Sequence, residues 1–338
     1  MRWKNKFQMG RGALKYRLLK KRMPLNVILS VTNRCPAHCL YCRFPQRKQK
    51  ELSRDQIFSL IDQMVQAGTQ RLGLWGGEPL LRNDIGQIID YASGKGLYVT
   101  LDSNGFLIPE KIESLKKLGH IVIALDGDRI AHEANRGKGS FPKTMKGIEV
   151  ASQHLNTWTI TVLTKHNLGA IDFILKTAER YGLMSTFQIL HHNEKLGRNL
   201  KKLSPSPGDL QKAIRKLLHL KREGARIASS TNYLKYLLRW PDYQRPISRD
   251  RNYGLPCLAG KLYCNVDSDG RVYRCSLLIE ESPALNFLEV GFRNAFLDLE
   301  NIPCEACAAS CFTEYNYLFA LNPKVVYQWL KAFSRTSR

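Results

Sequence analysis

The sequence predicts an α/β protein: six βα units around a parallel sheet, then a small cysteine-rich region. Three observations carry this. Through the first 200 residues, short apolar runs rich in bulky and β-branched residues alternate with helix-period segments, as in strands buried on both faces of a parallel sheet. Three cysteines sit directly after the first of these runs, where the functional loops of such sheets lie. Six of the nine cysteines fall from Cys257 onward, in a stretch with little apolar core of its own. A partial barrel and a doubly wound sheet both satisfy this pattern.

Residues 1–24 hold nine Lys or Arg and no acid, and form a basic amphipathic segment. Strands are expected at Leu25–Val31, Arg71–Trp75, Leu97–Leu101, Ile121–Leu125, Thr159–Leu163 and Thr186–Leu190. Between them run amphipathic helices. Ile57, Leu60, Ile61, Met64 and Val65 recur at helical spacing behind a Ser53…Gln56 capping box. Ile85, Ile88, Ile89 and Ala92 make a second stripe, and Ile171, Ile174, Leu175 and Ala178 a third. The array spans residues 25–200. Residues 201–256 read as a basic helical connector whose helix at 209–222 turns Leu210, Ile214, Leu217 and Leu218 inward. Residues 257–338 make the cysteine-rich domain and tail. There Tyr263–Val266 and Arg271–Cys275 flank Asp269-Gly270, a hairpin signal. Closing that turn at Ser268 and Arg271 makes Cys264 and Cys275 cross-strand partners, close enough to share a cluster or a zinc.

No apolar stretch approaches the roughly 20 residues of a membrane-spanning helix, and no secretory signal opens the chain. A reducing compartment, most simply the cytoplasm, is therefore expected, and the cysteines read as metal ligands or catalytic groups. A formal charge of +23 fits equally a polyanionic partner (nucleic acid, an anionic membrane surface, a phosphorylated substrate) and a solvated basic surface. Trp3, Phe7, Leu14, Leu18 and Leu19 stand among the basic residues at one end. Val325, Val326, Tyr327, Trp329, Leu330 and Phe333 stand beside Lys331, Arg335 and Arg338 at the other. Both ends can lie peripherally on an anionic membrane, which makes a hydrophobic or lipid-linked substrate one candidate, or they can pack on the barrel with their charges outward.

The strongest chemical signal is Cys35-Pro-Ala-His-Cys39-Leu-Tyr-Cys42. Three thiolates on a 4Fe–4S cubane leave one iron open to a small molecule. A structural zinc would need a fourth ligand, for which His38 is available. The second strand then runs into Gly76-Gly77-Glu78-Pro79, where glycines permit close backbone approach and the proline fixes the exit.

With these two motifs in this order, the chain resembles the radical S-adenosylmethionine (SAM) superfamily. That resemblance implies a partial (βα)6 barrel with a small C-terminal iron–sulfur domain. It implies that Cys35, Cys39 and Cys42 hold the 4Fe–4S cluster, that Tyr41, just before the third ligand, is among the cofactor-binding residues, and that Gly76, Gly77, Glu78 and Pro79 bind the methionine end of S-adenosylmethionine. Ser103 and Asn104, in Asp102-Ser103-Asn104-Gly105, match a turn near the cofactor ribose. Leu125-Asp126-Gly127, Asn135-Arg136-Gly137, Ser140-Phe141, Asn167 and Gly197-Arg198 follow the family order. The implied chemistry is reductive cleavage of the cofactor to a 5′-deoxyadenosyl radical that abstracts hydrogen from substrate. The electron donor would be a protein such as flavodoxin or ferredoxin, and Asp102 and Asp126 are candidates for any later proton transfer.

Cys257, Cys264, Cys275, Cys304, Cys307 and Cys311 resemble the SPASM or twitch domain of part of that superfamily, which holds one or two auxiliary 4Fe–4S clusters. The set departs from the seven-cysteine pattern, and structural zinc remains an alternative for it. The substrate stays open among a peptide or protein side chain, a cofactor precursor and a lipid-linked molecule. The 24 residues before the first strand are too few for the peptide-recognition domain of many peptide maturases. The competing class is a non-catalytic zinc protein that binds nucleic acid; the Gly76–Pro79 turn argues against it.

Overall fold

The computed structural model describes residues 3–191 and 193–336; the Trp3 side chain and Arg338 lie outside what is described. Six parallel strands follow chain order: β1 (Asn26–Thr32), β2 (Arg71–Gly76), β3 (Tyr98–Ser103), β4 (His120–Ala124), β5 (Thr157–Leu163) and β6 (Met184–Ile189). Four shorter strands complete the set: β7 (Ile247–Ser248), β8 (Tyr263–Val266), β9 (Val272–Tyr273) and β10 (Ala306–Cys307). The main sheet has the order β6-β5-β4-β3-β2-β1-β8-β9, and β7 pairs with β10 apart from it. This is the partial barrel of six βα units that the sequence implied.

The helices form where their apolar stripes and caps place them. The helix Arg54–Gln66 begins at Ser53, whose Oγ accepts from the Gln56 amide while Gln56 Oε1 accepts from the Ser53 amide. It buries Ile57, Leu60, Ile61 and Met64 against a core that includes Val27, Leu29, Leu72 and Leu74. The connector helix Pro207–Arg222 buries Leu210, Ile214, Leu217 and Leu218 as expected.

Both edges of the barrel sheet are covered, which removes open strand edges. On the β6 side, Ser185 exchanges backbone bonds with Arg226 and Ala228 (2.8 Å each). On the β1 side β8 pairs in parallel, Cys264 opposite Val27. The cysteine-rich region thus extends the barrel sheet.

The hairpin departs from the expected register. Asn265 pairs with Tyr273 and Val266 with Val272, and the Asp267 amide donates to the Arg271 carbonyl at 2.8 Å. The loop is Ser268–Gly270, three residues, with Gly270 at φ +93°. Such a loop shifts the pairing by one residue relative to a two-residue turn. Cys264 is therefore not the cross-strand partner of Cys275. It is fully buried in the main core with Val266 and Val272, whereas Cys275 belongs to a second apolar cluster with Cys257, Cys304 and Cys307.

Both chain ends pack beneath the N-terminal ends of the strands. In the helix Trp3–Leu19, Asn5 Nδ2 donates to the Gly96 carbonyl at 2.9 Å, and Gly12 lies so close to Leu25 that a Cβ would meet its side chain at 2.6 Å. In the helix Pro323–Ser334, Trp329 and Phe333 pack on Trp158, ring centroids 5.6 and 4.9 Å away. Phe7, Leu14, Leu18, Leu19, Tyr327 and Leu330 nevertheless remain exposed. Among the described residues, no helix is long and apolar enough to cross a membrane.

Candidate active site

A cavity of about 420 Å³ opens at the C-terminal ends of the parallel strands. Its mouth is formed by the loop carrying Cys35, Cys39 and Cys42, its walls by apolar residues such as Val122, Ala124, Ile160 and Val162. The strand alternation puts these side chains inward, and Asp102 on β3 and Gln188 on β6 add polar atoms among them.

Neighbouring strand ends fix the cysteine loop. Cys42 bridges to Gly197, the Arg43 amide donates to the Leu196 carbonyl at 2.8 Å, and Arg198 Nη2 donates to the Cys39 carbonyl at 3.1 Å. Each sulfur faces a nitrogen donor: Asn104 Nδ2 lies 3.8 Å from Cys35 Sγ, Arg136 Nη1 lies 3.9 Å from Cys39 Sγ, and the Phe44 amide lies 3.4 Å from Cys42 Sγ. Burial pushes the Cys35 thiol up to about 12 and the Cys42 thiol to about 11. Only a bound cation would hold such groups as thiolates at neutral pH. Three half-buried thiols at a cavity mouth, each met by an N–H donor, suit an iron–sulfur cluster, whose sulfurs take such bonds. Among the described residues no three His, Cys, Asp or Glu side chains close on a single-ion site, and His38 is exposed.

The Gly76–Pro79 turn also has a packing role. A Cβ on Gly76 would strike the Thr32 carbonyl at 2.4 Å, and one on Gly77 the Arg34 carbonyl at 2.3 Å. These glycines let the turn seat against the backbone leading into Cys35. Both still line the cavity, as do Ser103 and Asn104, but Glu78 and Pro79 do not. Glu78 is fully buried and accepts from the Leu80 amide (3.1 Å), Ser103 Oγ (2.9 Å) and the Asn104 amide (2.7 Å). It ties the end of β2 to the end of β3 and so places Asn104 beside Cys35.

A second strut crosses the site. Asp126, fully buried, accepts from Tyr41 Oη (2.8 Å), Arg136 Nε (2.7 Å) and the Val162 amide (3.0 Å). With its oxygens so committed, Asp126 anchors Tyr41 and Arg136 and is poorly placed to move protons. Asp102 is the opposite case. It lines the cavity with no hydrogen bond to it present among the described residues, and desolvation raises it to about 6 against the opposing pull of Arg71.

The structure gathers Cys257, Cys275, Cys304 and Cys307 in one buried apolar cluster, with Cys311 packed against it, and leaves Cys264 outside. The Cys304 thiol donates to Cys257, which lowers Cys257, with help from the nearby Arg274 guanidinium. Desolvation instead pushes Cys275 and Cys311 up to about 12. Sequence reasoning missed Arg47, a buried guanidinium that binds Asn33, Asp267 and Glu280 and so clamps the cysteine loop to the hairpin. Nothing in its basic surroundings marked it. Ser276 and Leu277, which line the cavity, went unnoticed too, although they directly follow Cys275.

Residues 29–178 match the model of the Radical SAM superfamily. The chain is 27% identical over 298 residues to the AdoMet-dependent heme synthase of Methanosarcina barkeri, covering 82% of this chain and 83% of that protein. It is 26% identical over 268 residues to the mycofactocin maturase MftC of Mycobacterium ulcerans, covering 76% and 70%. Among solved structures, Streptococcus suis SuiB bound to its precursor peptide SuiA superposes with a TM-score of 0.68 at 15% identity, over 85% of this chain and 68% of that one. That likeness is one of fold.

Proposed function

Since this chain is a radical SAM enzyme, we propose that Cys35, Cys39 and Cys42 hold a 4Fe–4S cluster at the cavity mouth and that the lumen beneath it receives the substrate. The observation that carries this is the three-thiol loop opening onto the cavity, with an N–H donor at each sulfur. When bound, the cluster and S-adenosylmethionine supply an electron and a 5′-deoxyadenosyl radical able to take hydrogen from a carbon atom. The chain's own residues do the rest. Gly76, Gly77, Ser103 and Asn104 offer backbone and side-chain polar groups at the rim for the cofactor, and Tyr41 is held there by Asp126. Once cofactor and substrate fill the cavity, its apolar walls would keep water from the space below, where a radical needs protection from side reactions.

The second cysteine group supports one auxiliary cluster. Five cysteines gather there, enough to ligate one cubane fully through Cys257, Cys275, Cys304 and Cys307, with Cys311 adjacent. Reduction would come from an external one-electron donor such as flavodoxin or ferredoxin, in a reducing compartment, most simply the cytoplasm. For the substrate, the relatives' names point to a cofactor precursor or a peptide. The test is replacement of Cys35, Cys39 and Cys42 together by Ala. Reductive formation of 5′-deoxyadenosine should vanish; cleavage at the wild-type rate would remove the proposal.

A further inference from the structure

The helix Trp3–Leu19 has an inner face and an outer face of different chemistry. Inward, Asn5, Gly12 and Ala13 pack beneath the sheet. Outward, Phe7, Leu14 and Leu18 are 66, 46 and 70% exposed. Steps of seven and four put these three on one stripe, with exposed Arg11 between the first two. Large apolar side chains in such a row are not explained by packing within this chain.

Cations flank the stripe. Lys4, Arg11, Arg17, Lys20 and Lys21 are exposed, and none of them forms an ion pair with a carboxylate among the described residues. Residues 1–24 contain no acid to neutralise them. A protein partner offering an apolar groove would have to supply many carboxylates besides. An anionic bilayer supplies both complements at once: dense negative charge at the headgroups and an apolar layer just below.

We propose that this helix docks the protein on an anionic lipid surface, with Phe7, Leu14 and Leu18 entering the acyl boundary and the cations meeting phosphate. The inference is independent of the chemistry proposed for the cavity. It carries an orientation. The helix lies at the N-terminal ends of β1–β3, and the cavity opens at the opposite ends of the strands. A docked molecule therefore turns its mouth away from the bilayer, so substrate enters from the aqueous side. Lipid affinity in this chain does not argue for a lipid-linked substrate.

The test uses the full chain with its clusters, floated with vesicles of phosphatidylcholine containing phosphatidylglycerol, or of phosphatidylcholine alone. Binding should require the phosphatidylglycerol. It should weaken as salt shortens the screening length from about 8 Å at 0.15 M to about 3 Å at 1 M. Leu14→Glu with Leu18→Glu should lower binding roughly tenfold or more, because each loses apolar insertion and adds repulsion. Since both side chains are exposed, folding and uncoupled S-adenosylmethionine cleavage should be unchanged. For orientation, amine-reactive labelling read by mass spectrometry should find Lys4 and Lys21 shielded on vesicles, and exposed Lys48, two residues beyond the cavity-lining Gln46, as reactive as in solution. Equal binding by the double variant, binding to neutral vesicles alone, or shielding of Lys48 in place of Lys21 each overturns the proposal. So does failure to float with a dimer or an RNA complex found to cover Leu14.

Discussion

Glu78 is where burial and hydrogen bonding compete most directly, and the competition sets a measurable pH dependence. Desolvation raises its carboxyl from 4.5 to about 7, against three accepted hydrogen bonds that favour the charged form. Between those pH values the folded chain keeps a proton that the unfolded chain has released. The contribution of this group is therefore complete below about pH 4.5 and is lost as pH rises through 7. At about 1.36 kcal/mol per pH unit the difference amounts to roughly 3 kcal/mol. Glu78→Gln removes the titration. It also turns one acceptor oxygen into an N–H₂ facing the Asn104 amide or its neighbours, at a cost of about 1–3 kcal/mol that does not vary with pH. Denaturant unfolding of both proteins from pH 5 to pH 8 should show the variant less stable at pH 5 and the gap closing, by up to about 3 kcal/mol, by pH 8. A gap that stays constant, or widens with pH, would refute the claim that desolvation outweighs the three hydrogen bonds.

The two halves of the mispaired hairpin predict different iron contents. In a Cys35/Cys39/Cys42→Ala background, Cys264→Ala should keep about four iron atoms per chain, whereas Cys275→Ala should lose most of them by iron assay and absorbance. Retention of iron in both, or loss in both, would contradict the separation of Cys264 from the second group. Asp102→Asn should alter uncoupled formation of 5′-deoxyadenosine less than about threefold, yet lower product formation from a cell extract about tenfold or more, as expected for a lost charge-assisted bond to substrate. The coupled reaction of the wild type should show an ionisation near pH 6 that the variant lacks; an unchanged profile would mean that Asp102 does not meet the substrate.

Much of this was legible because it is local. Buried parallel strands need runs of apolar residues, so six runs gave six strands, each within two residues of its expected bounds at the start. The capping box at Ser53 is a four-residue signal and was found. The cysteine loop and the glycine turn were legible as spacing on the chain. What escaped depends on how distant segments meet. Gly77 needs no Cβ because Arg34, over forty positions away, presses its carbonyl there. Asp126 is occupied because Tyr41 and Arg136 converge on it from other segments. The hairpin register failed for a narrower reason: Asp-Gly serves both two- and three-residue loops, and Gly270 in the left-handed region chose the longer one.

The two cysteine groups differ in access, and that difference bears on what each is for. Cys35, Cys39 and Cys42 are half-buried and line the cavity, so a molecule in the lumen can touch whatever they hold. Cys257, Cys275, Cys304 and Cys307 are buried and line no part of it, so whatever they hold meets protein on every side that these four define. Yet Ser276 and Leu277, the two residues after Cys275, form part of the cavity wall. A group held by these four cysteines would thus be joined to the substrate space through the chain segment that carries Ser276 and Leu277. Arg47 makes this arrangement rigid. Its guanidinium joins Asn33, two residues before Cys35, to Asp267 in the hairpin that leads to Cys275, so movement of one cysteine group would break bonds that hold the other.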